Sequence, residues 1–132
     1  MSYQSHLFDP DLDDRIQRAF DLLCVPASPD EVKDLISSVS SHLNTINKAF
    51  KKNEFLDVST AKKISEKLIQ LLRDIDSCPI EHQKSIVGAS RYFVEDVDTE
   101  PDTTSIIGFD DDLAVLNYVL KTIGQSELKA GQ

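Results

Sequence analysis

The sequence predicts an all-α fold, a single-domain bundle of about five helices with an Asp-rich loop before the last one. Three observations carry this. Apolar residues recur at helical spacing in successive segments, and capping or breaking residues stand at the borders of those segments. The chain also has no Trp and only 4 Gly in 132 residues, too few for the glycine turns of a β-sandwich or barrel. A chain of this length buries roughly two thirds of its unfolded surface and needs neither disulfide nor metal to fold. The domain is expected over 1–124, with 125–132 as a flexible polar tail.

The first helix follows Asp9 and Pro10, a cap with proline in the first turn, and carries Leu12, Ile16, Ala19, Phe20 and Leu23 before Pro26. The second begins at a capping box, Ser28 with Glu31 three residues on, in which the serine hydroxyl and the glutamate carboxylate each satisfy a free amide. Behind it Val32, Leu35, Ile36, Val39, Leu43, Ile46 and Phe50 form an apolar stripe, and the helix is expected to end near Asn53. A third helix starts at Asp57 or Ser59 and places Ala61, Ile64, Leu68, Leu71, Leu72 and Ile75 on one face, with Lys62, Lys63, Glu66, Lys67 and Arg73 toward water.

Ser77, Cys78 and Pro79 break the chain. A fourth helix from Ile80 carries Ile86, Val87, Ala89, Phe93 and Val94 and is expected to stop where the acidic run begins. Leu113, Leu116, Leu120 and Ile123 define the fifth, closed by Gly124 in a left-handed conformation. Short connections make successive helices antiparallel neighbours. His42 is expected on a helix flank.

A formal charge of −9 disfavours nucleic acid and anionic membrane surfaces as partners, because both would be repelled. A basic protein surface or a cation is compatible with it. No stretch approaches the roughly 20 apolar residues of a membrane span. Residues 1–8 lack the features of a secretory leader, and Cys24 and Cys78 sit among apolar neighbours, which together predict reduced thiols and a cytoplasmic location.

Residues 96–112 concentrate Asp96, Asp98, Glu100, Asp102, Asp110, Asp111 and Asp112 in one connection. The positive end of the following helix accounts for one or two of these acids, not for all of them. Tyr92 and Phe93, then Asp98, Pro101 and Asp102, then Gly108, Phe109, Asp111, Asp112 and Leu113 stand in a pattern that resembles the signature of the YkvA-like proteins, a family classed by its domain of unknown function. The resemblance spans 86–120. It implies a defined loop architecture in which Tyr92, Pro101 and Gly108 are structural and Asp98, Asp102, Asp111 and Asp112 hold the acidic positions. It implies no chemistry. Asp96, Thr99, Glu100 and Ser105 depart from the family pattern of prolines and apolar residues and make this turn wetter. Many relatives look membrane-associated, so peripheral membrane contact is an alternative expectation.

Two readings of the aspartates follow. In the favoured one, Asp98 or Asp102 caps turn amides, Asp110 or Asp111 caps the last helix, and Arg91 pairs with one acid. In the other, Asp98, Asp102, Asp111 and Asp112 bind a divalent cation through hard carboxylate oxygens, as in a metal-dependent hydrolase. The calcium-loop template fails, since Pro101 and Ile107 stand where glycine and glutamate are needed. His6, His42 and His82 lack metal-ligand spacing, and no nucleophile elbow, phosphate-cradling loop or CxxC occurs. Tyr92, Phe93, Phe109 and Tyr118 read as core and hinge packing. The expected function is therefore a non-enzymatic interaction module whose acidic face meets a basic protein.

Overall fold

The computed structural model describes residues 14–50, 58–99, 110–126 and 128, the side chains of 49, 50, 58, 96–99, 110 and 111 excepted. Among the described residues the chain is all-α, with helices α1 (Asp14–Leu23), α2 (Pro29–Phe50), α3 (Val58–Arg73), α4 (Ile80–Thr99) and α5 (Asp110–Thr122), and a 3₁₀ turn at Ile75–Ser77 between α3 and α4. None of these helices is long and apolar enough to cross a membrane.

The capping box forms as expected: Glu31 Oε1 accepts from the Ser28 amide at 2.8 Å, and Ser28 Oγ accepts from the Glu31 amide at 3.2 Å. From it α2 buries Val39, His42 and Ile46, the i, i+3, i+7 stripe of a helix lying on a core. On α3, Ala61, Ile64, Leu68, Leu71 and Leu72 are buried, joined by Ile75 of the 3₁₀ turn. Helix α4 is the centre of the bundle and packs against all the other helices. That position buries more of its circumference, with Ile86, Val87, Gly88, Ala89, Ser90 and Phe93 all inside. Ser90 is satisfied there by donating to the Ile86 carbonyl at 2.9 Å. Helix α5 contributes Val115, Leu116, Val119 and Leu120.

The helix ends show where local chemistry decides. Gly124 takes φ +85°, the Gly124 amide donates to the Lys121 carbonyl at 3.2 Å, and the Gln125 amide donates to the Leu120 carbonyl at 2.8 Å. This pair of bonds is a Schellman closure. Beyond it the tail is not wholly loose. Asn117 Oδ1 accepts from the Leu128 amide at 2.7 Å, and Asn117 Nδ2 donates to the Leu128 carbonyl at 3.0 Å. The tail is thereby tied back onto α5 as far as residue 128.

Two expectations are corrected. Helix α4 does not stop at the acidic run but continues to Thr99, taking Asp96 and Asp98 into helical backbone. Charge alone does not break a helix, since solvated carboxylates leave the backbone hydrogen bonds intact. His42 is not on a flank but inside, 6% exposed. Its ring meets Phe93 edge to face at 4.6 Å between centroids.

Candidate functional site

Of the residues singled out for the Asp-rich turn, Pro101, Asp102 and Gly108 lie outside the described residues, as do the side chains of Asp98 and Asp111. Asp112 is described, and it is 3% exposed in the first turn of α5. There the helix N-terminus favours a carboxylate. Tyr92 is half-buried against the core. Among the described residues no three His, Cys, Asp or Glu side chains gather as a metal ion would require.

Arg91, expected to pair with the turn, has two partners among the described residues. Its Nη1 donates to the Leu23 carbonyl at 3.3 Å, and its Nη2 stands 3.9 Å from Glu31 Oε2. One guanidinium thus joins α4 to the last carbonyl of α1 and to the capping glutamate of α2. Its fork, which can serve several acceptors at once, suits this three-helix junction.

A groove of about 450 Å³ lies at the junction of α2, α3 and α4. The first turns of α2 and α4 meet the last turn of α3 and the 3₁₀ turn there, the arrangement that antiparallel succession produces. Val32, Ile36, Leu72, Ile75 and Val87 form its apolar floor. Its polar rim holds Lys33, Arg73, Asp76 and Gln83. Gln83 Nε2 is already committed, donating to the Cys78 carbonyl at 2.8 Å. Lys33, Arg73 and Asp76 are exposed and form no ion pair among the described residues. Lys33 and Arg73 each read from sequence as water-facing charges on separate helices. Their shared groove exists only because α2 and α3 pack side by side.

Two titrations mark the neighbourhood. Glu31 is held below its ordinary carboxylate value, first by the Ser28 amide it accepts from and next by the Ser28 hydroxyl, with Arg91 assisting. Burial against α4 pushes the Cys24 thiol up to about 12, and Asp21 adds to the effect. Cys24 packs against Gly88 as a protonated thiol.

Fold and site together define a helical-bundle protein with a mixed-charge surface groove and a buried acid at the start of its last helix. No family model, curated protein or solved structure matches the chain.

Proposed function

We propose that this chain is a non-enzymatic helical interaction module that meets a basic protein surface through its exposed carboxylates. The observation that supports it is a set of acids the fold does not use: Asp30, Asp34, Asp74 and Asp76 are exposed and form no ion pair among the described residues. All four stand at the end of the bundle where α2 begins and α3 ends. With a formal charge of −9 behind them, they supply long-range attraction for a cationic partner. A kinship with the YkvA-like proteins and a cytoplasmic location belong to the same reading. The kinship rests on the residues of 86–120 quoted above, and the location is supported by the free thiols Cys24 and Cys78.

The test measures binding of a lysine-rich peptide by calorimetry over a range of salt, with Asp30, Asp34, Asp74 and Asp76 changed together to Asn in a second protein. The expected result is weaker binding by the variant and a shallower dependence on salt. Equal affinity and equal salt dependence would reject this surface as the docking face.

A further inference from the structure

We propose that α1 is a displaceable strap: it fills a helix-docking groove on α4 and α5, and a partner helix bearing an aromatic residue with a small residue four places later takes that groove when α1 lifts. This goes beyond the interaction-module reading and does not depend on it.

The groove offers three points of recognition, and α1 uses all of them. Gly88 is a notch: a Cβ atom there would stand 2.5 Å from Cys24 Sγ and 3.1 Å from the Phe20 ring, so two residues one turn apart on the α1 side share the same bare backbone. Phe20 is 2% exposed, and its ring stands edge-on to Tyr118 of α5 with 5.9 Å between centroids. Arg91, one turn beyond Gly88, donates from Nη1 to the Leu23 carbonyl at 3.3 Å, at the helix end where carbonyls lack intrahelical partners. An aromatic pocket, a notch for a small side chain and a cation at the carbonyl end together read the last two turns of a docked helix.

The present occupant is held lightly. Helix α1 has 10 residues, short of the roughly 12–15 at which an isolated helix becomes stable, so docking is what keeps it helical. Phe20 is its one buried side chain, whereas α3 buries Ala61, Ile64, Leu68, Leu71 and Leu72. Arg15, Arg18 and Leu22 are exposed, and residues 24–28, which join α1 to α2, are not helical. The helices α2 to α5 pack directly on one another, so lifting α1 leaves their mutual contacts in place. Opening of one element is thereby separated from unfolding of the whole. A tethered strap competes at an effective concentration of about a millimolar, which keeps the groove closed until its hold is loosened.

The test uses the full chain and two measurements. Native-state hydrogen exchange in low urea should find the amides of Phe20 and Leu23 opening together, ahead of those of Leu68 and Leu72 on α3. In the second, an unlabelled synthetic peptide of residues 14–28 is titrated into isotope-labelled protein while amide chemical shifts are followed. Phe20→Ala weakens the strap in the chain, and that variant should bind the peptide about tenfold more tightly than the unaltered protein does, with shifts at Gly88, Arg91 and Tyr118. A peptide that itself carries Phe20→Ala should not bind. Exchange of the α1 amides only in step with Leu68 and Leu72, or loss of α3 protection in the Phe20→Ala protein, would make α1 an inseparable part of the core and overturn the proposal. Peptide binding no tighter in that variant, or shifts absent from Gly88 and Tyr118, would overturn it equally.

Discussion

A Cβ atom placed on Gly88 would stand 2.5 Å from Cys24 Sγ and 3.2 Å from the Cys24 Cα. Helix α1 is seated against α4 by this missing methyl group. Gly88→Ala improves helix propensity by about 1 kcal/mol, while overpacking costs roughly 1–3 kcal/mol. Because a backbone atom lies behind the thiol, the clash is expected to win. A net loss of about 1–2 kcal/mol should appear in urea unfolding. Adding Cys24→Ala should recover part of it, and a double-mutant cycle with no coupling would contradict the seating.

Thiol chemistry reports the same junction. With its thiol pushed up to about 12, Cys24 should carry on the order of a thousandfold less thiolate at pH 8 than free cysteine. Iodoacetamide labelling followed by peptide mass analysis should find Cys24 unmodified in the native protein and modified in urea. Rapid native labelling at pH 8 would show that α1 does not stay seated.

The capping box sets a stability step and its pH dependence. Ser28→Ala should cost about 1 kcal/mol at neutral pH. The Glu31 carboxyl is lowered from 4.5 in the folded chain. A depressed folded value means the contribution is full above the unfolded value and is lost as pH falls through the folded one. Glu31→Gln should therefore destabilise at pH 7, with the gap from the unaltered protein closing below about pH 4.5. A gap independent of pH in urea melts would mean that the charge of Glu31 plays no part in the cap.

Asn117→Ala removes both bonds that hold Leu128. Loss of about 1–2 kcal/mol is expected, since a paired side chain and a half-buried leucine are released together. Hydrogen exchange at the Leu128 amide should rise to the rate of an open chain while the α3 core amides keep their order. Undiminished protection at Leu128 would show that something other than Asn117 holds the tail.

Much of the fold was legible in local spacing. The apolar stripes of α2 and α3, the Ser28 and Glu31 reciprocity and the Gly124 closure depend on residues within a turn or two of one another, so periodicity and capping chemistry are enough to locate them. Even the burial of His42 was present in the spacing, since it lies three residues after Val39 and four before Ile46 on the stripe that packs inward. A polar residue type hid it. The acids Asp96 and Asp98 did not end α4, because a charge on a helix surface leaves its backbone bonds intact.

The rest was decided between helices. Nothing near Arg91 in sequence signals the Leu23 carbonyl or Glu31, because those partners arrive only when α1 and α2 dock on α4. Gly88 is an ordinary helical glycine until Cys24 comes to rest against it. Lys33 and Arg73 are solvent-facing charges on separate helices until antiparallel packing places them on one groove. Asp112 was one acid among seven until its position on α5 buried it. By itself the sequence determined which segments are helical and which stripe of each is apolar, because both follow from interactions a few residues apart. Only the tertiary structure decided which charges remain free for a partner, because that depends on where distant helices bring their side chains.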